Sequence, residues 1–194
     1  DTIPGMWNRT ITIGSAGKSF AVTGHNIGYA YGPEHLIKPL KLLHEYSISK
    51  CSKPLQEAIA IAYEQEYELL NQPSSFLKQY ATSLETKRDL IANMLSEVQM
   101  NAVIPEGGYY VTVDIRKIAK LVNITSEKGE TKDTKFVNWL SKTQKLQGIP
   151  LSVFFSTKHH HISKNFIRLC FAKRNETFEG LRQTIDGLKK YLNE

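Results

Sequence analysis

Cysteine and long hydrophobic runs are both scarce in this sequence of 194 residues. The two cysteines, Cys51 and Cys170, lie in unrelated contexts without C-x-x-C spacing, which favours free thiols in a reducing compartment, each packed as a small buried hydrophobic residue. The longest nearly uncharged stretch, residues 10–33, is broken by glycines and hydroxyl side chains, so it cannot span a bilayer. Nothing at the start is typical of a signal peptide. We therefore expect no membrane partner and a cytoplasmic location, with a mitochondrial location as the alternative.

A concentrated charge of one sign is also lacking. Lysine and arginine number 25 against 19 aspartates and glutamates, for a net charge of +6, but both signs are mixed in runs such as residues 85–89. Mixed runs are typical of solvated helix faces rather than of a basic stripe, so we predict no nucleic-acid partner. With 41% hydrophobic residues the composition is that of a globular protein, and a mild positive charge suits anionic ligands.

One lysine stands apart within residues 11–33, a segment that is rich in glycine and hydroxyl groups. Lys18 is the only charged residue between Arg9 and Glu34, whereas a lysine needed for solubility usually lies among other charges. An amine that is shielded from water, or set near another cation, becomes a usable nucleophile toward a carbonyl, as Schiff-base chemistry requires. Lys18 is therefore the candidate catalytic residue.

Two familiar motifs match this segment only in part. Gly17-Lys18-Ser19 ends like a phosphate-binding P-loop, but the required glycine five residues earlier is Thr12 and β-branched residues follow instead of a helix. Ser15-Ala-Gly-Lys18 fits the Ser-x-x-Lys motif of penicillin-recognising acyl transferases. Those enzymes also need Ser-Asp-Asn and Lys-Thr-Gly elements, and neither occurs here.

A third match covers far more of the chain. Residues 15–29, SAGKSFAVTGHNIGY, closely resemble the cofactor-lysine segment of fold-type I pyridoxal-phosphate (PLP) aminotransferases, most of all the branch of kynurenine aminotransferase and glutamine transaminase K. The resemblance continues in residues 3–7 (IPGMW), 105–110 (PEGGYY) and 166–173 (FIRLCFAK). Because these four segments occur in the family's order across nearly the whole chain, the match is specific.

The resemblance implies a role for several side chains. Lys18 would hold PLP covalently and move the substrate proton, Ser15 would give a hydroxyl to the cofactor phosphate, and Arg168 would bind the substrate α-carboxylate with its planar fork. Simpler roles stay open, namely turn capping for Ser15 and a structural ion pair for Arg168. The second alternative matters because Arg168 has apolar neighbours, where a guanidinium is expensive to bury without an acidic partner. Tyr109 and Tyr110 flank the site, one facing the core and the other the ligand.

The chain departs from the family pattern beside the lysine. Asn26 stands where the family usually has a lysine or arginine that closes on the phosphate, and His25 stands where tryptophan is common. We expect weaker cofactor retention than in the family, unless His25 supplies the missing charge. The run of histidines at 159–161 lacks a carboxylate or cysteine at ligand spacing, so we predict no metal site.

The resemblance also predicts the domain organisation and the activity. The fold class is α/β, with residues 1–75 as the end of the large PLP-binding domain and residues 76–194 as a connecting helix and a small α/β domain, so that the chain is a carboxy-terminal half. The implied enzyme is a homodimer that moves an amino group between an L-amino acid, of kynurenine, glutamine or aromatic type, and a 2-oxo acid. Cysteine-S-conjugate β-elimination is a related outcome. The alternative from another class is a non-catalytic fragment or interaction module that keeps Lys18 by descent.

Hydrophobic periodicity predicts the elements. Strands are expected at 10–14, 26–31, 102–104, 109–115, 149–155 and 165–173. Helices are expected at 34–46 with an interruption near Pro39, from Ser52 to about 70, at 76–98, at 133–146 with a stop at Gly148, and after an Asn175 cap. Residues 126–134 are predicted to form a surface loop.

Overall fold

The computed structural model describes residues 2–48 and 50–192. It contains two compact units, Asp1–Ala81 and Thr82–Glu194. They divide within a continuous helix, Phe76–Ser96, whereas the sequence analysis sets a domain boundary at the start of that helix. No helix in the described ranges is both long and apolar enough to cross a membrane.

The first unit begins with a two-stranded antiparallel hairpin formed by β1 (Thr12–Ser15) and β2 (Gly28–Tyr31). Both strands have been predicted, and both are shorter than expected. Gly14 lies opposite Tyr29, and a Cβ at Gly14 would collide with the Tyr29 ring. Glycine at this position therefore lets the Tyr29 ring lie across the backbone of β1.

The rest of the first unit is helical. α1 (Ala16–Ser19) is a single turn between the strands, and α2 (Glu34–Ser47) and α3 (Lys53–Glu68) follow the hairpin. The predicted interruption of α2 at Pro39 is wrong, since the helix runs through it. Pro39 is the sixth residue of α2, and the loss of its backbone hydrogen bond to the His35 carbonyl does not end the helix. α3 begins as predicted, with Ser52 as N-cap and a proline in its first turn.

A buried carboxylate holds the start of α4 (Phe76–Ser96). Glu66 in α3 is only 7% exposed and accepts hydrogen bonds from Ser75 Oγ at 2.7 Å, the Phe76 amide at 2.9 Å and the Leu77 amide at 3.2 Å. The Ser75 hydrogen bond and the two amides lower the pKa of Glu66 against the opposing effect of burial. Glu66 therefore satisfies amides at a helix start that have no partner within the helix.

The second unit is built on a four-stranded antiparallel sheet in the order β3-β4-β6-β5. Its strands are β3 (Asn101–Val103), β4 (Tyr110–Asp114), β5 (Ile149–Pro150) and β6 (Phe166–Cys170). Its helices are α5 (Ile118–Leu121), α6 (Lys132–Gln144), α7 (His160–Ser163) and α8 (Asn175–Lys189). Short 3-10 helices complete the chain at Trp7–Arg9, Thr23–His25, Leu151–Phe154, Thr157–His159 and Lys190–Leu192.

The hydrophobic core of the second unit lies on one face of this sheet. Strands β4 and β6 alternate, so that Val111, Val113, Ile167 and Leu169 face α4, α6 and α8 in one buried cluster, while Thr112 and Arg168 pair on the opposite face. Burying each such side chain contributes about 1.5–3 kcal/mol. The largest fully buried side chains are Leu95, Val98, Met100, Val111, Ile115, Ile118, Phe136, Leu140, Ile167, Phe171, Ile185 and Leu188.

Two predicted segments around the sheet are wrong. The strand expected at 149–155 ends at Pro150 and continues as a 3-10 helix, because Pro150 has no amide for the ladder and the Ser152 amide donates instead to Asp133 Oδ2 at 2.7 Å. The loop expected at 126–134 is not wholly on the surface, because α6 begins at Lys132 and Asp133 is fully buried.

Two helix ends also differ from the prediction. α6 stops at Gln144, before Gly148, because Lys145 takes a left-handed conformation with φ 57°. Asn175 is not a cap, since Arg174 precedes α8 in an extended conformation and Asn175 is helical. The predicted burial of both cysteines is wrong as well. Cys51 is exposed and Cys170 half-buried, although both are free thiols as expected.

Candidate active site

Lys18 is the third residue of the one-turn helix α1, directly after β1. Ala16 and Gly17 are buried beneath it. The Gly17 amide donates to the Ile27 carbonyl at 3.4 Å, and a Cβ at Gly17 would lie 3.1 Å from Thr23 Cα, so glycine lets this turn pack closely against the backbone before β2. The expected shielding of the lysine is not observed, because its side chain is exposed.

Ser15 and Asn26 belong to the same hairpin connection as Lys18. Ser15 is the N-cap residue of α1 but makes no capping hydrogen bond with its side chain, which leaves the turn-capping alternative without support. Asn26 has a left-handed backbone with φ 52° and ψ 38°, a conformation that asparagine tolerates better than lysine or arginine. Its Nδ2 donates weakly to the Gly24 carbonyl at 3.5 Å, and His25 beside it is exposed.

Helix α3 supports the lysine turn from a distant part of the sequence. Tyr63 donates its hydroxyl hydrogen to Ser19 Oγ at 3.2 Å, and its ring packs edge-on against Phe20 at 4.8 Å between centroids. Ser19 Oγ in turn donates to the Ser15 carbonyl at 3.3 Å. This chain of contacts fixes α1 relative to α3.

Arg168 lies on β6 between two aromatic rings. Its Cζ atom is 4.1 Å from the ring centroid of Tyr110 on β4 and 4.3 Å from that of Phe154. Its Nε is buried without a hydrogen-bond partner in the described part of the chain. The ring of Tyr110 therefore faces the arginine.

An acidic partner for Arg168 is not found among residues 2–48 and 50–192. Asp114 lies on the same face of the sheet but is paired with Arg116, at 2.6 Å between Oδ2 and a terminal nitrogen. Burial opposes ionisation of Asp114, yet the hydrogen bonds and charge of Arg116 hold its pKa below its ordinary value. The structural ion pair considered for Arg168 is therefore unsupported.

A cleft of about 860 Å³ opens beside this arginine within the second unit. Its lining includes Tyr110, Arg168, Cys170, Lys173 and Gln147. The cleft thus combines positive charge with hydrogen-bonding groups and an aromatic wall, which suits an anionic ligand of moderate size.

The three consecutive histidines are engaged within their own segment. His159 Nδ1 lies 2.8 Å from Ser156 Oγ, His160 Nε2 lies 3.2 Å from the Phe155 carbonyl, and His161 Nδ1 lies 3.1 Å from the Lys158 carbonyl. The described residues contain no group of three or more histidine, cysteine or acidic side chains that could hold a metal ion.

A family model described as aminotransferase class I and II matches residues 2–185 of the chain. The chain belongs to this family. Kynurenine–oxoglutarate transaminase 3 from Bos taurus is 37% identical over 184 residues, which are 95% of this chain and 40% of that protein. Kynurenine–oxoglutarate transaminase 1 from Homo sapiens is 36% identical over 192 residues, or 98% of this chain and 46% of that protein. The chain spans less than half the length of these relatives.

Solved aminotransferase structures share the fold. Bna3p from Saccharomyces cerevisiae superposes with a TM-score of 0.86 at 25% identity, over 97% of this chain and 44% of that one. N-succinyldiaminopimelate aminotransferase from Mycobacterium tuberculosis gives 0.79 at 27% identity, over 96% of this chain and 44% of that one. The expected α/β fold class of a fold-type I aminotransferase is confirmed, as is the likeness to kynurenine aminotransferases. Pyridoxal phosphate is the cofactor of this family, as expected.

Sequence reasoning missed two side chains at the sites of this aminotransferase chain. Tyr63 contacts the lysine turn from 44 residues away, and Phe154 stacks on Arg168 from a segment predicted to be a strand. Neither has a local signal, because both contacts depend on tertiary packing. The aromatic pair Phe154–Phe155 just beyond Pro150 is the only feature that could have drawn attention to the second.

Proposed function

We propose that this chain supplies the cofactor lysine and the substrate-carboxylate site of a PLP-dependent aminotransferase. The enzyme moves an amino group from an L-amino acid, of kynurenine, glutamine or aromatic type, to a 2-oxo acid. The observation that carries the proposal is Arg168, a guanidinium stacked between two rings with no carboxylate partner among the described residues. A planar fork without an acidic partner is suited to a carboxylate ligand.

The lysine turn fits the cofactor that the family implies. Ser15 and Lys18 lie three residues apart on one helical turn, and both side chains are exposed. The Ser15 hydroxyl, free of a capping bond, is available to donate to a phosphate oxygen, and Asn26 adds a neutral amide donor nearby. A primary amine beside hydroxyl and amide donors suits a ligand that carries both an aldehyde and a phosphate.

Each residue then has a defined task. When bound, PLP supplies the electron sink that stabilises negative charge at the substrate Cα. Lys18 Nζ would hold the cofactor as a nucleophilic amine, and the same amine would act as the general base toward the proton on the substrate Cα. Arg168 binds the α-carboxylate through two parallel hydrogen bonds and thereby orients the Cα–H bond. The same proton removal permits β-elimination from cysteine S-conjugates, which we include as a side activity.

Several wider features belong to the same proposal. We propose that residues 1–75 complete the large domain and that residues 76–194 form the connecting helix and small domain. We also propose that the working enzyme is a cytoplasmic homodimer. The kynurenine–oxoglutarate transaminases that resemble this chain support the substrate class through their names.

The decisive test is Lys18→Ala in the full-length protein, with transamination of kynurenine by 2-oxoglutarate as the assay. We expect a loss of roughly 10²- to 10⁴-fold or more, the range for removing a positioned acid–base group. The matched control is Lys41→Ala, which removes an exposed lysine of α2 and should leave turnover unchanged.

A chemical measurement accompanies the kinetic one. Borohydride reduction of the PLP-loaded protein should fix the cofactor on the peptide that contains Lys18, where mass spectrometry can detect it. Near-normal turnover of Lys18→Ala would contradict the catalytic role. Absence of both turnover and fixed cofactor in the unmodified protein would favour the non-catalytic alternative.

A further inference from the structure

The contacts of Arg168 differ from those of other arginines in the second unit. Arg88, Arg116 and Arg182 each pair with a carboxylate, and the hydrogen bonds that they donate to those carboxylates raise the pKa of each guanidinium. The Cζ atom of Arg168 instead lies over the rings of both Tyr110 and Phe154, and its buried Nε lacks a hydrogen-bond partner within the described ranges. Among the described residues, the contacts with these two rings are therefore the interactions that hold the guanidinium of Arg168.

Two stacked rings restrict a guanidinium in a specific way. The cation is attracted to the face of each ring, and contact on both sides confines the group to one plane. The terminal nitrogens, at the outer edge of the guanidinium, stay free to bind a ligand that lies in the same plane. A long side chain that is already confined loses less rotamer entropy when it binds a ligand.

The two rings come from different elements, and each has its own anchor. Tyr110 is the first residue of β4 and pairs with Cys170, two residues along β6 from Arg168 on the same face. Phe154 ends the 3-10 helix Leu151–Phe154, whose Ser152 amide donates to the buried carboxylate of Asp133. The backbone that carries each ring is thus anchored independently of the arginine.

We propose that Tyr110 and Phe154 are positioning residues, which hold the guanidinium plane of Arg168 so that its free edge meets the substrate carboxylate. This inference rests on the proposed function and extends it from the arginine to the two rings. Neither ring needs to touch the reacting atoms for this role.

The kinetic test uses Tyr110→Leu and Phe154→Leu in the full-length, PLP-loaded protein. Each should raise KM for kynurenine and 2-oxoglutarate by roughly threefold to thirtyfold, the equivalent of one cation–π contact, with kcat changed far less because carboxylate binding acts on substrate and transition state alike. Tyr110→Phe, which keeps the ring, should restore the original KM. Val153→Ala truncates an exposed neighbour of Phe154. It serves as the control and should leave KM unchanged.

Two further measurements separate this inference from the proposed function. Phenethylamine, which has no carboxylate, should react equally with all of these variants. Arg168→Lys should lower kcat/KM for every carboxylate substrate. If Arg168→Lys does so while both leucine variants keep the original KM, the positioning role is overturned and the proposed function stands. If Arg168→Lys has no effect, the carboxylate role of Arg168 fails, and the positioning role with it.

Nuclear magnetic resonance tests the stacking without a measurement of enzymatic activity. In the ¹⁵N-arginine-labelled protein, the Hε resonance of Arg168, assigned by its loss in Arg168→Lys, should lie upfield of the other arginine side chains because of the ring currents. It should move downfield in Phe154→Leu and in Tyr110→Leu. An Hε resonance at the position of an exposed arginine would overturn the inference.

Discussion

Asn26 suits the backbone conformation of its turn but lacks the positive charge that would favour a bound phosphate. Its left-handed backbone, with φ 52°, favours asparagine over the longer cationic side chains that the family resemblance leads one to expect here. The sequence alone indicates a missing charge at this position, but it cannot indicate that the backbone itself selects against the cation. Positive φ is a property of the folded turn.

A cation at position 26 should nevertheless tighten the binding of PLP by the full-length protein. A charge-assisted hydrogen bond contributes about 1.5–3 kcal/mol against about 0.5–1.5 kcal/mol for a neutral one. The strain of a lysine or arginine in the left-handed backbone conformation offsets part of this difference. We expect Asn26→Lys and Asn26→Arg to lower the PLP dissociation constant by roughly threefold to tenfold on this balance.

Titration of PLP into the apo-protein measures that change. Asn26→Gly is the matched control, because it relieves the left-handed backbone without adding a charge. An unchanged or higher dissociation constant in the cationic variants would mean that His25 or another group already supplies the charge.

At the scale of elements, the long helices and the inner strands could be predicted from the sequence, whereas the short connecting elements could not. β4 and β6 follow from short runs of apolar residues, and α8 follows from helical periodicity over a buried face. The segment after Pro150 carries strand-like residues but becomes a 3-10 helix, since Asp133 captures the amide of Ser152. A hydrogen bond between segments so far apart does not change the local pattern of hydrophobic residues.

The same kind of long-range capping should make helix α4 sensitive to pH through Glu66. Because hydrogen bonds to its ionised form lower its pKa, Glu66 contributes stability above its unfolded pKa of about 4.3, and this stability is lost as the pH falls through the lowered folded value. Glu66→Gln should therefore lower the thermal midpoint at pH 7, and the difference from the original protein should shrink on acidification below pH 4.

Differential scanning calorimetry between pH 3 and pH 7 can follow both proteins. Glu68→Gln changes an exposed glutamate of the same helix and should behave like the original at every pH. A constant difference between Glu66→Gln and the original across this pH range would contradict ionisation of Glu66 as the source of the stability.

At the scale of the whole molecule, burial is distributed unequally along the chain. The large apolar cluster draws its members from residues 91–188, within the second unit. In the described part of the first unit, the buried apolar side chains are Ala16, Ile27 and Pro33, and no residue of α2 is buried. Composition and length suggested an ordinary globular core, but they could not indicate which part of the chain would supply it.

Hydrogen exchange of the 194-residue chain should reflect this distribution. Amides of β4 and β6, which lie over the core, should exchange roughly 10²-fold or more slowly than those of β1 and α2, because local opening requires far less exposure of apolar surface in the first unit. Mass spectrometry of peptides after timed labelling provides the measurement. Equal protection of α2 and β4 would show that the two units unfold together.

The buried carboxylate of Asp133 in α6 is connected to the segment that carries the aromatic ring beside Arg168. It is fixed to Ser152, 19 residues away, and through that turn it sets the place of Phe154 beside Arg168. Selection should therefore act on Asp133 and residues 151–154 together. Lineages that alter the acid are expected to have rebuilt the turn as well, so the two should covary among descendants of this gene.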